Sequence, residues 1–182
     1  MKIYALIAML GLMSGQVGAE VFSASIQHVD VELIDSQYEL NADIDYKLSH
    51  TAKEALYKGI PLAWSVLVEV KREGFLWDST LNEIALKYQI QNHALLNLFS
   101  VKNINKGSKE MFSTLTAALN AMSRIRRLKL VDNAVIKPVS DYYVAIKVEF
   151  SREALPIPLR PLSYFDSQWA LSSDWELWPL QN

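Results

Sequence analysis

The chain has 182 residues, 51% of them hydrophobic, a formal charge of −2 and no cysteine. The missing thiol excludes disulfides, thiolate metal sites and a cysteine nucleophile together. With 18 basic against 20 acidic side chains, it carries no electrostatic footprint for nucleic acid.

The first nineteen residues, MKIYALIAMLGLMSGQVGA, place Lys2 before an apolar run from Ile3 to Met13 and small residues around Ala19. That is the pattern of a secretory signal peptide, with cleavage expected after Ala19 rather than retention as an anchor. The run is about half the length a spanning helix needs, so the processed chain is expected to have no transmembrane segment. No cysteine follows that could carry a lipid anchor. Residues 20–182 then form one domain, with 155–182 expected as an extended C-terminal segment docked on it.

Period-two alternation dominates the chain beyond the leader. From Tyr38 to Leu48 every even position is apolar, with Glu39, Asn41, Asp43, Asp45 and Lys47 between. This is a strand with one dry face. Val29, Val31 and Leu33 alternate likewise with Asp30 and Glu32, and Asp35-Ser36 supplies turn residues between the runs, so a first antiparallel hairpin is predicted. Thr51 with Glu54 reads as a capping box opening a helix that ends at Gly59, with Pro61 preventing its continuation.

Strands are predicted through Trp64–Val70 and Ile84–Ile90, and a further apolar stretch covers Leu95–Val101. Gly107-Ser108 then introduces a longer helix with Phe112, Leu115, Leu119 and Met122 on one stripe, ending near Arg124. After a connection containing Pro138, positions Tyr142 to Phe150 alternate again. The order strand, strand, helix, strand thus occurs twice, and VEVKRE at Val68–Glu73 is echoed by VEFSRE at Val148–Glu153. The expected class is α+β: a mainly antiparallel sheet with two helices packed on its dry face, built as two such units if the echo marks a duplication.

Three prolines between Pro156 and Pro161 argue against helix and central strand, so this stretch reads as a stiff connector. It delivers Trp169, Leu171, Trp175 and Trp178 to the body of the protein. Alternation of Trp169 with Leu171, and of Trp175 with Leu177, predicts short segments that each bury one side. The tryptophans therefore read as a staple fastening the chain end, with an exposed aromatic platform as the competing reading.

Chemistry-bearing motifs are sparse. Beyond the leader only Gly59, Gly74 and Gly107 remain, too scattered for a phosphate-cradling loop. His28, His50 and His93 lack the helix-spaced partners of a zinc site, so no metal and no cofactor is expected. No glycine-flanked nucleophilic serine occurs. Candidate interaction residues are the acidic set Asp30, Glu32, Glu39, Asp43 and Asp45, which reads as a solvated face or a docking surface for a basic partner. Opposed to it is the basic set Arg124, Arg126, Arg127 and Lys129, read as cations at a helix C-terminus that would also suit anionic lipid head groups or an acidic partner. Trp77, after Gly74 at a strand boundary, is a candidate contact residue.

ALYKGIPL at Ala55–Leu62, VKN at Val101–Asn103 leading through Gly107 to Phe112 and Leu115, LPIPLRP at Leu155–Pro161, and the terminal tryptophans are together similar to the DUF4390 family of exported Gram-negative proteins. The chain departs from it in FLWD at Phe75–Asp78, where many members carry paired tryptophans and Leu76 replaces one. The resemblance implies a periplasmic protein and brings no activity, cofactor or catalytic residue. It also implies an association with a membrane sensor histidine kinase of the nitrogen-regulation type.

The expected function is therefore a non-catalytic interaction or accessory module with an envelope protein partner. The alternative is a carrier for a lipid or other apolar ligand, and a third reading is a hydrolase using His50 or His93.

Overall fold

The structure, a computed structural model, describes residues 22–138 and 140–180. The expected leader lies outside them. Among the described residues nine strands form two antiparallel sheets, which keeps the α+β class and the antiparallel expectation.

In the smaller sheet β1 (Ala24–Ile34) and β2 (Gln37–Tyr46) make the predicted hairpin, and β7 (Arg124–Asp132) flanks β2. Asp35 and Ser36 are the two loop residues, both with positive φ (47° and 67°), the geometry whose twist matches a two-residue hairpin. All the even positions from Tyr38 to Tyr46 are buried, as alternation requires.

The larger sheet has the order β6 (Ser108–Phe112), β5 (Leu98–Asn103), β4 (Ser79–His93), β3 (Leu62–Arg72), β8 (Tyr142–Phe150) and β9 (Glu176–Pro179). Its centre is the row Trp64, Val66, Val68, Val70 on β3 beside Val144, Ile146, Val148 and Phe150 on β8. These side chains share one core with those of β2, joined by the edge-on contact of Tyr46 with Trp64 at 5.5 Å. The dry face expected under two helices is thus covered largely by a second sheet. The echoing stretches begin on β3 and β8, which lie side by side and antiparallel. The second half carries three strands beyond the repeated order, β6, β7 and β9, so the two halves do not match strand for strand.

Helix α1 (His50–Tyr57) is capped by Ser49, whose Oγ accepts from the Ala52 amide at 3.1 Å. The cap is therefore two residues earlier than the expected Thr51. Gly59, at φ 85°, ends it in the left-handed conformation that favours glycine.

The predicted long helix from Gly107 is corrected. Gly107 (φ 68°) closes a hairpin turn and Ser108–Phe112 pairs with β5, so helix α2 covers only Leu115–Met122, behind a Thr114 cap. Arg124 to Lys129, expected at that helix's end, belong to β7.

The proline-rich connector is corrected too. Helix α3 (Leu159–Phe165) follows Pro158, and Pro161 sits in its first turn, where a missing amide proton breaks no helical bond.

The chain end splits the tryptophans. Trp169, 2% exposed, stacks on Phe150 at 5.9 Å, and Leu171 is buried with its carbonyl accepting from Trp64 Nε1 at 3.1 Å. Ser172 and Ser173 hydroxyls accept from the Phe150 and Val148 amides, and β9 then pairs with β8. In this last stretch the expected register is reversed. Trp178 and Leu180 turn inward, while Trp175 (41% exposed) and Leu177 face out, with Trp175 lying beneath Lys71 and Lys147. Trp169 and Leu171 staple as expected, and Trp175 does not.

Candidate interaction surface

The two charged sets meet on the outer face of the smaller sheet. Register alone puts Arg124 opposite Asp43 and Lys129 opposite Glu39. Between those pairs β7 bulges, and Arg127 takes φ 52°, a left-handed conformation that costs an L-residue free energy. Asn41 Oδ1 accepts from its amide at 3.0 Å. The bulge aims both arginines at carboxylates: Arg126 Nη2 lies 2.5 Å from Asp43 Oδ1, and Arg127 Nε lies 3.2 Å from Glu39 Oε2.

Glu39 is the notable member. Its side chain is only 5% exposed and sits directly across from Glu32, an arrangement of like charges that destabilises a sheet unless a cation intervenes. Asp45 faces Lys47 at 3.5 Å, and Asp30 lies opposite Asn41. The expected acidic docking surface and basic patch are thus one interleaved face on which several of the charges neutralise one another; Arg124 alone directly follows the end of α2, whereas Arg126, Arg127 and Lys129 lie further along β7.

Trp77 stands elsewhere, at the tip of the β3–β4 hairpin. Phe75, Leu76 and Trp77 are each at least 74% exposed. The loop that carries them is tightly built. A Cβ on Gly74 would lie 2.0 Å from the Trp77 carbonyl oxygen, so the backbone folds on itself where only glycine fits. Asp78 locks the base: Oδ1 accepts from the Gly74 amide at 3.1 Å, and Oδ2 accepts from the Tyr143 hydroxyl at 2.5 Å. The Tyr143 bond, then the Gly74 bond, hold the Asp78 carboxyl below its usual range, while the same carboxylate pushes Tyr143 up to about 12.

Beside the tip runs a groove of about 480 Å³, lined by Glu73, Asp78, Asp141, Tyr143, Leu177 and Trp178 among others. The buried Trp178 Nε1 has no hydrogen-bond partner among the described residues. Sequence reading singled out Trp77 but missed the brace. Its signal was a glycine followed four residues later by an aspartate, around three large apolar residues.

The histidines are dispersed. His50 is 3.8 Å from Glu54 on the exposed face of α1. His93 Nε2 meets Ser100 Oγ at 2.9 Å, but Ser100 is buried in β5, where a substrate carbonyl has no approach. No group of three or more His, Asp or Glu able to hold a metal occurs among the described residues.

Architecturally, then, this is an α+β protein of two antiparallel sheets around one core, with an apolar tip braced at its base at one end. The chain belongs to the DUF4390 family: the family model described as a domain of unknown function (DUF4390) matches residues 22–179. Neither the curated proteins nor the solved structures returned a match to it.

Proposed function

We propose that the protein is a non-catalytic accessory module of the Gram-negative periplasm that engages an envelope protein partner through the Phe75–Trp77 tip. The observation that carries this is the brace. Holding three adjacent large apolar side chains in water works against the hydrophobic effect, and a flexible loop would fold them down. Glycine, aspartate and tyrosine are committed here to keeping them out. Rigid apolar anchors bind at low entropic cost, as at the centre of protein interfaces. The acidic groove alongside favours a partner that sets basic or hydrogen-bonding groups around an apolar pocket.

The association that the family resemblance implies makes the extracytoplasmic part of a sensor histidine kinase a first partner to test. In the test, Phe75 is replaced by photoreactive benzoylphenylalanine in the full chain within living cells, with the same probe at Met111 as control. One defined adduct from position 75, absent from position 111 and lost on Trp77→Ser, is expected. Identical adducts from both positions, or an adduct indifferent to Trp77→Ser, would remove the reading.

The carrier reading rests on a second groove, about 580 Å³, between α1 and α2. Leu115 and Leu119 line it together with Lys47, Lys53, Asp45 and Asn120, a mixed wall less suited to an apolar ligand than to water. Native mass spectrometry that finds a bound lipid in that groove would favour it over the tip.

A further inference from the structure

We infer that the open edge of β1 is a second docking site, which takes up an extended segment of a partner protein whose apolar residues alternate with basic ones. Among the described residues four strands end a sheet, and three of them are blunted. β6 is five residues long with Lys109 and Glu110 in it, and β9 is four residues long and closed by Pro179. On β7 the Leu130 carbonyl is taken by the Asn82 side chain, and the strand is broken by two register shifts. Short length, lysine, proline and bulges are the devices that keep a sheet edge from pairing. β1 runs for eleven residues with no proline, lysine or arginine, and its single irregularity lies between Ile26 and His28.

Beyond that bulge the backbone groups of the edge are free. The Ile44 amide donates to Ser123, on the β7 side, so even-numbered residues of β2 face β7 and odd-numbered ones face β1. Asn41 and Glu39 therefore exchange bonds with Asp30 and Glu32, and the alternate residues Val29, Val31 and Leu33 turn their amides and carbonyls outward. Before the bulge the outward Ala24 amide is taken by Leu171. Val29, Val31 and Leu33 have no such partner among the described residues. A row of this kind is a template for one more strand.

The side chains select the occupant. Val29, Val31 and Leu33 lie on the core side of the sheet, and Leu33 is 49% exposed, so the rim of the core is uncovered where an added strand would lie. On the other face Arg126 and Arg127 are paired with Asp43 and Glu39, and Lys47 with Asp45. Asp30 and Glu32, nearest the edge, have no ion-pair partner among the described residues. No lysine or arginine occurs from Phe22 to Tyr46, and His28 sits at the bulge opposite Asp43. Arg124 and Lys129 stand on β7, two strand spacings or about 10 Å from β1. A strand laid along β1 thus meets carboxylates on one face and aliphatic groups on the other, and alternating basic and apolar residues match both. A second copy does not match. Pairing two β1 strands about Val31 would set Asp30 directly against Glu32 twice.

The probe is an acetylated octapeptide of alternating lysine and valine, added to the full chain purified as the host accumulates it. An octapeptide of alternating glutamate and valine is one control, and the lysine peptide N-methylated at alternate residues is the other. Amide exchange followed by NMR should slow at Val29, Val31 and Leu33 with the first peptide. Fluorescence anisotropy should show that peptide binding at least about tenfold more tightly than either control. Asp30→Lys and Glu32→Lys in one chain, its fold checked by circular dichroism, should turn the preference toward the glutamate peptide. Equal binding of the N-methylated peptide, protection confined to other strands, a preference unmoved by the double substitution, or no binding at millimolar peptide overturns the inference. So does slowing at the three amides that needs no peptide and grows with protein concentration, which would assign the edge to a second copy. None of these outcomes bears on the adduct from position 75, so the tip reading stands or falls separately.

Discussion

Trp169→Ala tests how the chain end is fastened. The indole is almost wholly buried against Phe150, which leans on Trp64, which in turn meets Tyr46. Truncation removes about 150–200 Å² of buried apolar surface, about 4–5 kcal/mol at 25 cal/mol per Å². Core tryptophan and phenylalanine truncations cost about 3–5 kcal/mol, the same range. Against a total stability of about 5–15 kcal/mol that is a large fraction. Urea unfolding followed by circular dichroism should show the midpoint falling with the slope unchanged, and Tm should drop by about 10 °C. Trp175→Ala is the matched control, because two lysine ammonium groups lie over its ring at 6.0 and 5.9 Å and the ring is partly in water. It should cost less than about 1 kcal/mol. Equal losses from the two substitutions, or a loss below about 1 kcal/mol at Trp169, would refute the staple.

Iodide should quench Trp77 and Trp175 in native protein and spare Trp64 and Trp169, read by removing one ring at a time. Arg127→Ala should destabilise by about 1–2 kcal/mol in urea titrations, because it strands a buried Glu39 opposite Glu32; a larger figure is not expected, since Arg127 itself is 77% exposed and well solvated. Gly74→Ala should disorder the tip and abolish the adduct from position 75 while leaving the far-ultraviolet spectrum intact, given the 2.0 Å approach. The brace has a defined pH window. Asp78 titrates below its unfolded value, so its contribution is full above the ordinary carboxylate range and is lost as pH falls through the depressed pKa. Tyr143 titrates above its unfolded value, so its contribution is full below pH about 10 and is lost as pH rises through about 12. Tyr143→Phe should return Asp78 toward the ordinary range in a carboxyl-detected NMR titration.

How far the sequence foretold this architecture depends on how regular each strand is. β2, β3 and β8 obey strict alternation, and the two-residue Asp35-Ser36 turn carries its own chemistry, so their faces could be assigned residue by residue. β7 was hidden by its bulges. With extra residues at Arg126-Arg127 and near Leu130, its inward Ile125, Leu128 and Val131 fall three apart and imitate the end of a helix. Gly107 misled for a related reason, since a left-handed glycine serves a hairpin as well as a helix boundary. Pro161 breaks a helix only from an interior position, and here it lies in the first turn of α3. In the candidate site, composition exposed the charges but not their pairing, because β2 and β7 are about ninety residues apart and only register brings them together. Trp77 could be suspected from its neighbours; the Tyr143 bond that steadies its loop crosses 65 positions of sequence.

The sealing of β8 by residues 171–180 has a consequence for biogenesis. Until that segment arrives, β8 presents unpaired amides along one side, and Phe150 and Trp64 lack their cover, so a nascent or truncated chain offers a sticky edge to its neighbours. β2 must likewise wait for β7, and β3 for β8. A polypeptide whose closing pieces are synthesised last keeps its core open until the end of synthesis, and a stop codon ahead of Trp169 should yield aggregates rather than a shorter folded protein.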